Sequence, residues 1–474
     1  MARRKTQRGT PFTSATTVAL VTKFLSPEDT HSLMTTSSKL LLQLGPARFW
    51  SASALVSDIP KQVVKNIRRV TTLQLPSIQN TLAHVTNLSF HPDFNTAIPP
   101  GTLPQVLTRL RLGSAFDQPL DGVLPDSLRE LRIDNPEYTQ PIPALPRGLL
   151  TLVLSAMCTQ QITRDHLPDT LTALGLGVGF NQSLAGLLPR NLQEIRFGIG
   201  YGGSFTPDLF AGLEDLRVVE LEGPPTGQIR KDTFPPSVEE IIFAYGFDQP
   251  LSGILPLNLT HLDLGVDFNT PFGDAFTRTP NLRVLDLGFE FNKPLGSLPK
   301  SLKSLELGYK FNQPLGLVLP HGLEGLDCGY SFNKVIGPNE LPTTLVSLLL
   351  SDRFNKPIKP GVLPPALEEL CFGSQFDQDI TPGTIPPSVT QLAFGMEFNR
   401  PLGPGVLPRD LTHLELGDRF FRNNTIELDS LPLGLVHVVA SPPTIKHLQT
   451  IVETNLDRHA WLGKIKLVCR QHED

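Results

Sequence analysis

The chain has 474 residues, with 41 Lys+Arg against 46 Asp+Glu for a net charge of −5, and it carries 45 prolines and 38 glycines. A near-neutral balance excludes a general attraction to nucleic acid or to an acidic membrane surface. Leucine, at 78 residues or about one in six, excludes the disorder that so much Pro and Gly can otherwise mean.

Length alone would suggest about three domains of roughly 150 residues. The four cysteines (Cys158, Cys328, Cys371, Cys469) lie far apart with no CxxC spacing, so neither a disulfide framework nor a zinc site is expected. The apolar stretch Val18 to Val21 is too short for a signal-peptide core, and no run reaches the length of a membrane span. The expected location is intracellular, cytoplasmic or nuclear.

In chain order, residues 1–12 read as a disordered basic tail in which Arg3, Arg4, Lys5 and Arg8 are solvated. Residues 13–56 change to helical spacing. Ser26 can cap a helix with Pro27 at its first position, and Leu33 and Ser37 fall one turn apart. Val21, Phe24, Leu25, Pro27, Asp29, Leu33 and Ser37, with Lys39 one position late and Phe49-Trp50 closing, resemble the core phrase of an F-box. The family's opening L-P-x-[DE] is missing, its place taken by Pro11-Phe12-Thr13-Ser14. The resemblance implies that Phe24, Leu25, Pro27 and Leu33 dock the adaptor of a cullin–RING ubiquitin ligase. The alternative is a plain helical cap over the end of the next domain. Residues 57–72 read as a linker or N-terminal cap.

From about 73 to 440 one phrase recurs. Leu302-x-x-Leu305-x-Leu307-Gly308-x-x-Phe311-Asn312-Gln313-Pro314-Leu315, closing with Leu319-Pro320, has counterparts at Leu171–Asn181 and Leu259–Asn269. The aromatic position returns at intervals of mostly 20 to 23 residues, with Cys158 and Pro225 holding two gaps in register. Such a period marks a solenoid. In L-x-x-L-x-L the last two leucines share one face of a short strand. A strand of that length cannot bury its own apolar face, so copies must stack in parallel. The Phe fills the inner half of the coil, and the following Asn supplies backbone groups at the turn with a partner. Asp117, Asp248 and Asp377 replace that Asn, which makes acceptance the needed property. The Pro- and Gly-containing remainder is unfriendly to helix. The expected fold is a β-rich, leucine-rich-repeat-like parallel-sheet superhelix of about 16 coils of about 22 residues.

The phrase L-x-L-G-x-x-F-N-x-P-[LI] closely resembles the FNIP repeat, a variant of the leucine-rich repeat. The resemblance implies a recognition surface instead of a catalyst. The pattern departs around Leu152 to Cys158 and between Gly202 and Pro225, where Leu213-x-x-Leu216-x-x-Val219-x-Leu221 reads as an ordinary leucine-rich repeat of longer coil. Residues 441–474 read as a C-terminal cap: Ser441-Pro442-Pro443-Thr444 starts a helix, and Ile465-Lys466-Leu467 suggests a closing strand.

No phosphate loop, zinc-protease motif or nucleophile elbow occurs, and the strings Gly175-x-Gly177-x-Gly179 and Gly198-x-Gly200 sit where strands exit into turns. His261 beside Asp263, and His413 beside Glu415, lie on a sheet face that excludes no water. No enzyme and no cofactor is expected. The residue between the two strand leucines points away from the core. That central column is basic at Arg111 and Arg132 and acidic at Asp263, Asp286, Glu306 and Asp327, which nominates a partner-binding face whose acidic stretch meets a basic protein. An F-box beside FNIP repeats is a familiar architecture. It implies the substrate-recognition subunit of a cullin–RING ubiquitin ligase, with adaptor, cullin and an unidentified substrate as partners. The alternative is a repeat scaffold with no ubiquitin link.

Overall fold

The computed structural model describes residues 69–72, 85–154, 161–420, 428–455 and 463–469. The basic tail and the F-box-like segment, with Phe24, Leu25, Pro27 and Leu33, lie outside the described residues, as does Cys158. The chain divides into two units, residues 1–216 and 217–474. The division falls inside the longer coil between Gly202 and Pro225.

In the first unit the leucine phrases form β1 (Arg69–Thr72), β2 (Asn87–Phe90), β3 (Arg109–Leu112), β4 (Glu130–Ile133), β5 (Thr151–Leu154), β6 (Ala173–Leu176) and β7 (Glu194–Phe197). Each pairs in parallel with the next. β1 joins the array just ahead of Leu73, within the stretch read from sequence as linker. The alternation is plain in β3, where Leu110 and Leu112 are buried while Arg109 and Arg111 are exposed.

The second unit repeats the arrangement from β8 (Val218–Leu221) and β9 (Glu240–Phe243) through β10 (His261–Asp263), β11 (Val284–Asp286), β12 (Ser304–Glu306), β13 (Gly325–Asp327), β14 (Ser347–Leu349), β15 (Glu369–Cys371), β16 (Gln391–Ala393) and β17 (His413–Glu415) to β18 (His437–Ala440). Helix α1 (Pro442–Asn455) follows, with Ile445 and Leu448 buried, and β19 (Lys466–Cys469) then pairs in parallel with β18. It is the one α-helix among the described residues. Elsewhere the far limb of each coil is extended chain with occasional 3-10 turns, as at Ala275–Arg278.

The repeated aromatic fills the coil interior. In the second unit nine rings from Phe247 to Phe420 stack in sequence, with centroids 5.8–6.3 Å apart and planes within 18° of parallel. The first unit has shorter runs, Phe94–Phe116–Tyr138 and Phe180–Tyr201. Pro225, in register with this column, is half-exposed and does not fill the same space.

Beside the rings runs a ladder of side-chain acceptors. The Oδ1 of Asn269, Asn292, Asn312 and Asn333 each accepts the backbone N–H of the matching residue one coil on, at 3.0 Å every time. Asp248 and Asp377 do the same for Asn269 and Asn399, at 2.9 and 3.0 Å. Acceptance is therefore the property that the position selects, which is why Asp can stand for Asn. In the first unit Asp117 accepts from the N–H of Thr139, and that bond chiefly holds its carboxyl below the ordinary carboxylate range.

The recurring Leu-Pro contributes a feature not read from sequence. The proline carbonyl accepts the N–H of the leucine three residues on, as from Pro299 to Leu302 and from Pro320 to Leu323, so each strand is entered through a tight turn. At the residue before that leucine, or before Val389 in its place, a hydroxyl reaches back to the preceding coil: Ser301 donates to the Leu282 carbonyl at 2.7 Å and Ser388 to that of Leu367 at 2.7 Å.

The ladder predicts a contrast at Asn312, whose Oδ1 is needed and whose amide group is not. Asn312→Asp should leave urea stability at neutral pH nearly unchanged. Asn312→Leu, which removes the acceptor of the Asn333 N–H, should cost about 1 kcal/mol. Equal losses for the two variants in urea melts would contradict the assignment.

Candidate functional site

Strand register fixes what the sheet presents. In the second unit the pairing of β9 to β13 sets Ile242, Asp263, Asp286, Glu306 and Asp327 side by side, one strand apart. The column continues through Leu349, Cys371 and Ala393 to Glu415. The four predicted acids are thus neighbours, as the spacing requires, and among the described residues none forms an ion pair.

Three of the four are held by the turn that follows the strand. Oδ1 of Asp263, Asp286 and Asp327 accepts the N–H of Gly265, Gly288 and Gly329 respectively, each at 2.8 Å. Those glycines have φ of +69°, +73° and +65°. At Gly288 an added Cβ would lie 1.5 Å from the Gly265 carbonyl oxygen, so no other residue fits. The Asp-x-Gly phrase is therefore one unit: the glycine turns the chain and its N–H aims the carboxylate along the column. The carboxylate of Glu306, one methylene longer, forms no hydrogen bond among the described residues and stays exposed.

The charges are not comfortable together. Burial pushes the Asp263 and Asp286 carboxyls above their ordinary range, against the pull of the glycine N–H groups, and repulsion from Asp263 and Asp327 adds to the shift at Asp286. At Glu306, partial desolvation first, then the charges of Asp286, Asp327 and Asp263, push the carboxyl up to about 7.

Beside the acids lies a second column that the sequence reading missed. The residue after the strand-exit Gly (or Ala244) is Tyr245, Phe289, Tyr309 and Tyr330 in four of these coils. Tyr245 is 54% exposed, Phe289 39% and Tyr309 40%. Phe289 stacks on Tyr309, and Tyr309 on Tyr330, both at 4.3 Å between centroids. Aligning the repeats on L-x-L-G and reading down the next position would have found it. Acids and rings line a shallow hollow of about 380 Å³.

The basic part of the predicted face is different. In the first unit Arg111 and Arg132 sit side by side as expected, but both close on Asp134, Arg132 at 3.0 Å, and Arg109 pairs with Glu130 at 3.2 Å. Three arginines there face two acids, so part of its charge is met within the chain. Farther along the second unit Cys371 is pushed up to about 11, first by burial and then by Glu415 and Glu369, so it carries no thiolate at neutral pH. Among the described residues no group of three or more His, Cys, Asp or Glu side chains is placed to hold a metal ion. No helix among them is long and apolar enough to cross a membrane.

Stacked parallel strands, a one-coil period and an open face make this a leucine-rich-repeat-type solenoid. The FNIP Repeat family matches residues 94–135, 228–267, 279–310, 291–331, 332–375, 354–397, 376–419 and 398–439, just over half of the chain, and the chain belongs to that family. Among solved structures it is similar to CroV588, a circular leucine-rich-repeat protein, with TM-score 0.68 and 27% identity over 86% of this chain and 63% of that one. The chain thus spans less than two thirds of the length of CroV588. The Drosophila Toll–Spätzle complex (TM-score 0.53, 15% identity, covering 81% of this chain and 59% of that one) and the TLR13–ssRNA13 complex (0.51, 15%, 85% and 73%) share the fold. Comparison with curated proteins finds no match.

The raised carboxyl gives a pH test. Glu306 is charged when folded only above about pH 7, so its penalty is present above that pH and disappears as pH falls toward the ordinary value. Glu306→Gln should therefore raise the melting temperature near pH 8 and make no difference near pH 4. Because Glu306 is exposed, screening limits the gain to about 1 kcal/mol or less. A destabilised variant at pH 8 would contradict the repulsion.

Proposed function

We propose that this chain is a recognition protein whose repeat array binds a protein partner through the strand face of residues 217–474. One observation carries the reading: Asp263, Asp286, Glu306 and Asp327 stand in register on an open face with no counter-ion among the described residues. Nothing in the coil's packing requires acids there, since the same column tolerates Leu349 and Ala393. A rigid array also loses little ordering entropy on binding. The same charge disfavours phosphate backbones, so the preferred partner is a protein and not a nucleic acid. The reading assigns the chain no catalysis of its own and an intracellular location.

Within it, residues 13–56 act as an F-box, with Phe24, Leu25, Pro27 and Leu33 docking a cullin–RING adaptor while the array (73–440) selects the substrate and 441–474 close its end. Support for this part is the match of those residues to the F-box phrase. The competing reading is a scaffold whose N-terminal residues only cap the array.

Affinity capture with the full chain, read by mass spectrometry, separates the parts. Leu25→Asp with Pro27→Ala should lose adaptor and cullin and retain the substrate. Asp286→Asn with Glu306→Gln should do the reverse. Capture of partners without any adaptor, unchanged by the first pair, leaves the scaffold reading. Retention of every partner by the second pair ends the acidic-face reading.

A further inference from the structure

The acidic column and the aromatic column run side by side over the same coils, and together they specify more than a basic partner. From Phe289 to Tyr330 the ring faces are already occupied. Tyr309 lies between Phe289 and Tyr330, with planes within 7° of parallel. The flanking rings carry cations of the chain itself, Lys310 Nζ 5.7 Å from the Phe289 centroid and the Arg353 guanidinium 5.3 Å from that of Tyr330. A sugar ring docks on an open aromatic face, and this stack keeps its faces for itself. What it offers outward is a band of half-exposed aromatic edges, largely carbon with the tyrosine hydroxyls among them, bordered by carboxylates without counter-ions among the described residues.

That combination suits a side chain with an apolar stem and a cationic head. Lysine and arginine lay their methylenes along apolar surface while the charge seeks its partner. Spacing narrows the choice further. Four carboxylates one strand apart, at ~4.8 Å per step, span ~14 Å, and alternate side chains of an extended chain recur every ~6.8 Å, so positions i, i+2 and i+4 cover ~13.6 Å. We propose that residues 242–330 form a docking track for an extended segment of a partner protein bearing Arg or Lys at alternate positions, its heads on Asp263, Asp286, Glu306 and Asp327 and its stems along Tyr245, Phe289 and Tyr309. This rests on the acidic-face reading above and adds the form of the partner.

The test uses the full chain and two labelled peptides of identical composition, one with three arginines at alternate positions between small residues, the other with them grouped at one end. Binding is followed by fluorescence anisotropy at moderate salt. The alternating peptide should bind about threefold or more tighter than the grouped one, and Asp286→Asn with Glu306→Gln should weaken it by about tenfold. Tyr309→Ser should weaken it about threefold through lost stem contact. Asp121→Asn, an exposed carboxylate in the first unit, should change nothing. Because Glu306→Gln is expected to stabilise the fold at pH 8, weaker binding by a variant that melts no earlier than the parent cannot be a folding failure. Equal affinity for the two peptides, indifference to Tyr309→Ser, or Tyr309-dependent binding of a neutral oligosaccharide in place of either peptide would each overturn the proposal. If the peptides fail while captured proteins still depend on Asp286 and Glu306, the acidic-face reading survives and this track does not.

Discussion

Most coils of this protein follow their strand with a turn that leaves a backbone N–H facing the coil before it. An Asn or Asp side chain from that earlier coil accepts it. These bonds lie at the edge of the coil, part-buried or exposed, and each contributes about 1 kcal/mol net. Packing of leucine against leucine would tolerate small slips along the strand. The acceptor tolerates none, because only one register places Oδ1 within reach of the next N–H. The column of rings beside it then falls into parallel planes, and the residues between the strand leucines line up on the other side of the sheet. The presented face is a by-product of satisfying the turns.

Much of this was legible in the letters. Leu305 and Leu307 with one residue between them announce a half-buried strand, and Phe311-Asn312 announce what fills the coil and what ends it. The substitution of Asp for Asn at 117, 248 and 377 disclosed that an oxygen was wanted. The proline turn was less visible, since its effect comes through the carbonyl and not through the side chain or the missing N–H, which are what a reader of sequence weighs. The aromatic column at Tyr245, Phe289, Tyr309 and Tyr330 escaped because it occupies a variable position between two constant ones. Its regularity appears only when the coils are laid over one another. The fate of Arg111 and Arg132 was hidden for another reason: their partner, Asp134, comes from just beyond the strand, where sequence gives no direction for the side chain.

The contrast between the two charged stretches shows how a repeat separates architecture from recognition. Arg111 and Arg132, at the central position of the first unit, share one aspartate, Asp134, which offsets half of their charge. Of Asp263, Asp286, Glu306 and Asp327 in the second unit, three are answered by glycine N–H groups, which aim them but leave their charge. Burial and mutual repulsion raise Asp286 and Glu306 above their ordinary range, so the folded chain bears a cost that a cation from outside would remove. A surface under that kind of tension is selective by sign before any shape is matched.

The ladder bond keeps its length although the coils differ in size. Asn269 and Asn292 are 23 residues apart, Asn292 and Asn312 only 20, yet both bonds measure 3.0 Å. The difference is absorbed on the far limb, where the longer coil makes the 3-10 turn Ala275–Arg278. Since the coils from Asp248 to Asn399 present the same oxygen and the same N–H as one another, one of them can follow another regardless of ancestry. Gene duplication or loss in whole-coil steps can therefore lengthen or shorten such an array without a new folding solution, and unequal recombination becomes a way of shuffling the letters displayed on its surface.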